Sequence, residues 1–231
     1  MKKYKHLLFD LDHTLWDHKA NADDTLIDLF NKYSLGSLVP SGVDGFIDAF
    51  HKTNFELWDL YHLGEVDQPY IRTQRFRMVM KLLGVMDFDF FQELSSDYLS
   101  YCPRRSNLMP YALEVLEYLK PRYRMSVITN GFAEIQDIKL ASAGLTGYFD
   151  EVITSEQAGS LKPHAEIFNY ALKKVGMSCV DCVMIGDNPT TDIQGAREVG
   201  IDQIYYDPDQ NQAALSPTHR IQNLRELKEL L

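Results

Sequence analysis

The chain of 231 residues has the length of one large domain, or of a domain carrying a smaller insertion, and at 45% hydrophobic residues it can bury a real core. Lys and Arg number 23 against 33 Asp and Glu; the net charge of -10 excludes a surface that tracks nucleic-acid phosphates and requires local positive charge at any site for an anionic ligand. No apolar run approaches the ~18 residues of a membrane span. The basic start is followed only by Leu7-Leu8-Phe9 before Asp10, too short for a signal peptide, so a cytoplasmic protein without a membrane or nucleic-acid partner is expected.

In chain order, residues 5–9 read as a buried strand. From about 21 to 101 the pattern becomes helical. Amphipathic stretches cover 24–33, 43–62, 69–83 and 88–101, punctuated by Gly36, Pro40-Ser41-Gly42, Gly64 and Gly84. Phe46, Phe50, Phe55, Trp58 and Tyr61 fall near helical spacing and read mainly as a core face. Beyond this stretch strand and helix alternate. Strands are expected at 124–129, 150–153, 182–185 and 203–206. Helices are expected at 132–143, 165–175, 190–199 and 223–230; Gly144, Gly176 and Gly200 close the first three. The pattern predicts an α/β fold, a doubly wound, mostly parallel Rossmann-like sheet core with an inserted all-helical cap domain. The core would comprise residues 1–18 and 102–231, and the cap residues 19–101.

Three cysteines, Cys102, Cys179 and Cys182, form no disulfide framework. Cys179 and Cys182 make a C-x-x-C, but no second Cys/His pair stands near to complete a metal site, and Cys182 opens an apolar strand. They read as small buried hydrophobes.

Four polar clusters stand at or beyond the carboxyl ends of expected strands, the edge where open α/β sheets place ligands. The first is Asp10-Leu11-Asp12-His13-Thr14, two carboxylates leaving a buried strand, which are costly to hold without a cation or a reaction to use them. The second is Thr129-Asn130-Gly131, a hydroxyl and an amide before a glycine turn. Lys162-Pro163 is the third. The fourth is Gly186-Asp187-Asn188-Pro189 with Thr190, Thr191 and Asp192, an acidic turn entering a helix. Singly, each has a structural explanation: Asp12 or Asn188 as a cap, Thr129 as a satisfied strand end, Lys162 as a solvated charge. Together and in this order they do not.

D-x-D-x-T, T-N-G, K-P and G-D-x-x-x-x-D resemble the four motifs of the haloacid dehalogenase superfamily, spanning Phe9 to Asp192. Helices inserted after the first motif imply a C1-type cap. The phrases Ile128-Thr129-Asn130-Gly131-Phe132 and Lys162-Pro163 with Ile167-Phe168 are similar to the branch of pyrimidine 5'-nucleotidases acting on noncanonical nucleotides. His13 departs from the glycine commonest at its position and has no role that the resemblance supplies.

The resemblance implies a phosphomonoester hydrolase. An Asp of ordinary pKa is ionised at neutral pH and can attack phosphorus, so Asp10 is the expected nucleophile, forming an aspartyl-phosphate. Asp12 is expected to protonate the leaving oxygen and then activate water. Two carboxylates beside a phosphate need a hard cation, and Mg²⁺ is implied, held by Asp10, the backbone carbonyl of Asp12, and Asp187. Lys162 would neutralise phosphate charge and hold Asp10, supported by Asp192, with Asn188 in the same turn. The Thr129 hydroxyl and the Asn130 and Gly131 amides would bind phosphate oxygens.

The expected substrate is a small phosphorylated metabolite, a nucleoside monophosphate by resemblance, with sugar phosphates and phosphoglycolate as rivals. Specificity is expected from the cap and from Thr14 to Lys19, where Trp16 is the candidate to stack on a base. A dehalogenase would not need Asp12. A phosphonate hydrolase would replace Asp12 and recruit a cap lysine, whereas Lys52 reads as a solvated helix residue. A phosphomutase ranks below hydrolysis, and a non-enzymatic module has no use for Asp10, Asp12, Thr129, Lys162 and Asp187 together.

Overall fold

The computed structural model describes residues 4–86, 89–210 and 216–231. Strand β1 (His6–Phe9) is followed by helices α1 (His18–Lys32), α2 (Gly42–His62), α3 (Gln68–Leu82), α4 (Phe91–Tyr101) and α5 (Ala112–Leu119). Strand β2 (Arg124–Thr129), helix α6 (Ala133–Ser142), strand β3 (Glu151–Thr154) and helices α7 (Ser155–Ala158) and α8 (Ala165–Val175) come next. The chain continues through β4 (Cys182–Gly186), a π-helical segment Pro189–Gln194, α9 (Gly195–Glu198), β5 (Asp202–Tyr206), β6 (His219–Ile221) and α10 (Leu227–Leu230).

The strands form one six-stranded sheet in the order β3-β2-β1-β4-β5-β6, every neighbouring pair parallel. This is the predicted doubly wound α/β fold. All residues of β1 and β4 are buried, as the central strands of a sheet covered on both faces must be. Leu8, Ile128, Ile153, Cys182 and Met184 pack with Ile167, Phe168 and Ala171 of α8 and Ala196 of α9. Phe9 pairs with Val127 and Ile185, so β1, β2 and β4 end within two residues of one another. Asp10, the Thr129–Asn130 step and the Gly186–Asp187 step therefore emerge at one edge, and β1/β4 is where the strand order reverses.

The chain divides into two compact units, Met1–His18 with Ser106–Leu231, and Lys19–Arg105. The second unit is helical among its described residues and holds an aromatic core. Phe76 of α3 lies 5.5 Å from Phe50 of α2 and 5.5 Å from Tyr98 of α4, and Phe50 lies 4.9 Å from Tyr98, spacings that suit tilted and edge-on rings. Phe46 and Phe50 are fully buried, whereas Phe55 is 68% exposed, so the aromatic run on α2 is only in part a core face. Lys52 is exposed.

Helix α8 ends at Gly176 in the left-handed conformation that a C-cap favours. The helix expected over 88–101 is observed as Phe91–Tyr101; its expected first residue, Phe88, lies outside the described residues, as do the first three residues of the basic start. The helix expected over 190–199 opens as a π-helical turn. The Asn188 side chain accepts from both the Thr190 and Thr191 N–H groups at 2.9 Å, and the Ile193 N–H reaches back five residues to the Asn188 carbonyl. Asn188 is thus a cap, with Pro189 in the first turn after it. Three elements were not expected from the sequence. Helix α5 buries Ala112, Val115, Leu116 and Leu119 at helical spacing, while α7 has four residues and β6 three, two of them exposed.

After the π-helical turn the chain passes against the segment that carries Lys162. A Cβ on Gly195 would lie 2.6 Å from the Phe168 ring and 2.8 Å from the Pro163 backbone. Gly195→Ala is expected to lower stability by ~1–3 kcal/mol through this overpacking, read from urea midpoints, with a larger loss of any Lys162-dependent activity. An unchanged midpoint would mean that the two segments part freely.

Candidate active site

The site is built on the first unit. Asp10 continues the β1 ladder, its N–H donating to the Ile185 carbonyl at 2.9 Å, and the residue is 7% exposed. Lys162 comes from the loop between α7 and α8 and is 2% exposed. Its ammonium donates to Asp10 Oδ1 at 2.6 Å, Asp192 Oδ1 at 2.7 Å and the Ile128 carbonyl at 2.9 Å. Three acceptors satisfy its three hydrogens, the condition for holding a buried ammonium.

Asn130 sets where that lysine stands. Its side-chain Nδ2 donates to the Lys162 carbonyl at 2.9 Å, and its Oδ1 accepts from the Lys162 N–H at 2.8 Å. The side-chain amide therefore imitates a strand partner and clamps the lysine backbone. The Thr129 hydroxyl accepts from the Gly131 N–H at 3.0 Å, which draws the turn closed. A Cβ on Gly131 would lie 2.5 Å from Gln136 Nε2, so a side chain there would have to displace the end of Gln136.

Asp187 and Asp192 complete the edge. The Thr14 hydroxyl donates to Asp187 Oδ1 at 2.9 Å and accepts from the Asp187 N–H at 3.1 Å, tying the loop after β1 to the loop after β4. Asp192 is 1% exposed and fully engaged: one oxygen takes Lys162, the other accepts from the Asn188 N–H at 3.0 Å. Carboxylate oxygens of Asp10, Asp187 and Asp192 all lie within 4.8 Å of one another. Buried anionic oxygens at this spacing suit a hard divalent cation.

Their electrostatics say the same. Burial pushes the Asp10 carboxyl up to about 7, opposed by Lys162 and reinforced by Asp192. Asp187 is raised well above the usual range, by burial and then by Asp10. Lys162 is raised, because Asp10 and Asp192 outweigh the opposing effect of its burial. One ammonium does not offset three carboxylates.

Asp12 is held differently. Lys139 of α6 donates to both its oxygens, at 2.5 and 2.8 Å. Burial alone would raise the Asp12 carboxyl, but the Lys139 ammonium and then His18 bring it below the usual range. The Lys139 ammonium also sits 4.4 Å from the centroid of the Trp16 ring. Trp16 is fully buried, with His18 edge-on at 5.9 Å. A ring with no exposed surface cannot stack on a base, which corrects the expectation for Trp16; its face meets a lysine. His13 is exposed and adopts a left-handed φ of 65°, its N–H donating to the Trp16 carbonyl.

The edge thus brings together Asp10, Lys162, Asp187 and Asp192, with Asn130 and Thr129 shaping the adjoining turn and Asn188 capping the turn that carries Asp192. Lys139 and Gln136 took no named part in the sequence reading, and Thr14 stood in the first motif without a role of its own. A lysine inside a helix reads as solvated, yet Lys139 shares the buried stripe of Ile135, Gln136 and Leu140, and a charge on an apolar stripe was the available signal.

Folding raises the Asp10 and Asp187 carboxyls, so the folded protein keeps protons that the unfolded chain releases near pH 4. That contribution to stability is complete below about pH 4 and is lost as pH rises through the folded value of about 7. Without divalent cations, urea midpoints are expected to fall between about pH 5 and about pH 8, and Asp10→Asn to flatten part of the fall. An equally steep fall in Asp10→Asn would show that Asp10 does not take up the proton.

Residues 4–200 match the haloacid dehalogenase-like hydrolase family. The pyrimidine 5'-nucleotidase PynA of Streptococcus pneumoniae is 32% identical over 232 residues, covering 99% of this chain and 95% of that protein. The pyrimidine 5'-nucleotidase YjjG of Escherichia coli is 28% identical, covering 99% and 98%. The magnesium-bound crystal structure of Bacillus subtilis YfnB, which reveals interdomain movement, superposes with a TM-score of 0.88 at 27% identity, covering 99% of both chains. By its sequence over most of its length, and by a fold shared from end to end with YfnB, this chain belongs to the haloacid dehalogenase-like hydrolase family.

Proposed function

We propose that this enzyme is a Mg²⁺-dependent phosphatase working through an aspartyl-phosphate, with pyrimidine nucleoside monophosphates as its substrates. The observation that carries the reading is the unlike treatment of two carboxylates two residues apart. Asp10 is gripped by Lys162 in an acidic pocket, and Asp12 is bound by Lys139 beside it. A nucleophile and a separate proton carrier are what a phosphate ester needs, whereas a carbon–halogen bond needs only the first.

Asp10, Asp187 and the backbone carbonyl of Asp12 are the proposed holders of the cation. The bound Mg²⁺ would supply Lewis-acid polarisation of the phosphate and hold Asp10 ionised at neutral pH. In the first step Asp10 attacks phosphorus and Asp12 gives its proton to the leaving oxygen. At rest Asp12 is a carboxylate, and a phosphate dianion arriving beside it favours proton uptake. In the second step Asp12 takes a proton from water, which attacks the phosphorus and releases Asp10 as a carboxylate. Lys162 neutralises phosphate charge throughout. The Thr129 hydroxyl and the Asn130 and Gly131 backbone amides are proposed to turn toward phosphate oxygens. Asp192 supports Lys162, and the helical unit, residues 19–101, is the proposed source of substrate selectivity as a cap.

The pyrimidine assignment is supported by the two nucleotidase relatives, each aligned over nearly the whole chain. Release of p-nitrophenolate from p-nitrophenyl phosphate is expected to require Mg²⁺, and its absence from folded protein would overturn the phosphatase reading. Asp10→Ala is expected to fold and to lose turnover by at least about a thousandfold, ~4 kcal/mol of barrier; residual activity within about tenfold would mean that another group attacks. Against a panel of monophosphates, dUMP and dTMP are expected to exceed purine nucleotides and sugar phosphates in kcat/KM. Equal or better rates on sugar phosphates would remove the nucleotidase assignment and leave the phosphatase one standing.

A further inference from the structure

Lys139 lies outside all four motifs, yet it is the partner of Asp12. Its side chain is 8% exposed while that of Asp12 keeps 25%, so the lysine is sealed and the carboxylate stays open to small molecules. We propose that Lys139 is the positioning residue of Asp12, aiming the carboxylate that moves the proton, and that the Trp16 indole is the seat that fixes Lys139. This rests on the phosphatase reading above and adds to it a residue and a division of labour.

Both ends of the arrangement are anchored. Trp16 is held by a bridge to Leu108 and by its N–H donating to the Leu11 carbonyl at 2.9 Å, and the loop between returns through the His13 N–H to the Trp16 carbonyl. These bonds hold the Trp16 backbone, and the fully buried indole on it sits with the Lys139 ammonium 4.4 Å from its centroid. On the other side, Gln136 donates to the Phe132 carbonyl at 2.8 Å and fills the space beside Gly131, which pins the first turn of α6 to the Thr129–Gly131 turn. Lys139, one turn further along the same helix face, inherits that register. One helix thus links the proposed phosphate-side turn to the proposed proton carrier.

Stability alone does not explain the pair. A buried ion pair contributes about as much as well-packed apolar residues of the same volume, or less. What an ion pair adds is direction: two hydrogen bonds from one ammonium leave the carboxylate plane little freedom. Lys139 neither gains nor loses a proton during the cycle. Asp12 alone gives one as the ester bond breaks and takes one from water as the bond to Asp10 breaks.

The step at risk can be read separately. p-Nitrophenolate leaves without a proton, so formation of the aspartyl-phosphate from p-nitrophenyl phosphate does not need Asp12, whereas its hydrolysis does. Lys139→Met is expected to lower kcat on this substrate by about 100-fold, the scale of a misplaced catalytic group, and KM with it, leaving kcat/KM little changed because only the second step slows. It should also give a burst of p-nitrophenolate approaching one equivalent before slow turnover. On a nucleoside monophosphate, where the leaving oxygen needs the proton, the burst should vanish. Lys139→Arg, which keeps a cation, is expected to recover at least about tenfold, and Trp16→Leu to mimic a partial loss. In an Asp12→Asn background Lys139→Met should cost nothing more, because the two act as one unit.

Unchanged kcat in Lys139→Met, or effects that multiply in the Asp12→Asn background, would overturn the positioning role while leaving the phosphatase reading intact. A wild-type protein inert toward phosphate monoesters with Mg²⁺ would overturn both. Should Lys139→Met fail to fold, Lys139→Gln with the same burst and double-variant readings decides the matter.

Discussion

An ammonium buried as deeply as Lys162 must be matched by carboxylates, and the arrangement of the sheet edge follows from how that is done. Asp10 comes from the end of β1, Asp192 from the turn after β4, and the Ile128 carbonyl from β2. One nitrogen thus bridges three neighbouring strands at one edge of the sheet. Asn130 holds the lysine backbone, and Gly195 allows the following segment to approach the turn that carries Asp192. Removing side-chain volume at Gly195 and spending the Asn130 amide on backbone make sense only if the position of Lys162 matters more than either.

The same lysine leaves a deficit. Asp10, Asp187 and Asp192 converge within 4.8 Å, and one positive charge among them is too few to keep all three ionised. Asp10 is accordingly raised while Asp12, two residues on, is lowered by its own lysine. Pairs of carboxyls whose environments push them apart are the usual basis for dividing nucleophilic or base work from acid work. Here burial raises both carboxyls: Lys162 fails to overcome it at Asp10, where Asp192 adds to it, and Lys139 with His18 overcomes it at Asp12. Lys162 is shared with Asp192, whereas Lys139 meets Asp12 over an aromatic ring.

What could be read in the sequence follows from locality. The central strands and α8 were legible because continuous apolar runs and glycine stops are local signals, and α8 was placed to the residue. The four clusters were legible because each pairs a strand end with a polar turn. Helix α5 carried a clear apolar stripe that went unread, and β6 had no stripe to read. The π-helical opening of the segment at Pro189 depends on how many N–H groups the Asn188 side chain can cap, which composition does not reveal. Trp16 was given a different role and Lys139 none for one reason: their roles are set by each other across 123 positions of chain, and a pair needs a fold before it exists.

The net charge of -10 first argued against an anionic ligand. Distributed over the surface, that charge would repel a phosphate group; at the sheet edge its effect depends on what the carboxylates hold. Lys162 neutralises part of the cluster and a divalent cation would reverse the remainder, so on the proposed function the acidic residues themselves would gather the positive charge that binds the ester. Lys139 works against this at close range, since it ties up a carboxylate that could otherwise face the cation. On the proposed mechanism the second aspartate is thereby kept from serving as one more ligand and is left to carry a proton. On that proposal a site with Asp12 free would be more acidic at the cation and less able to hydrolyse, which is what would set Lys139 apart from a merely structural ion pair.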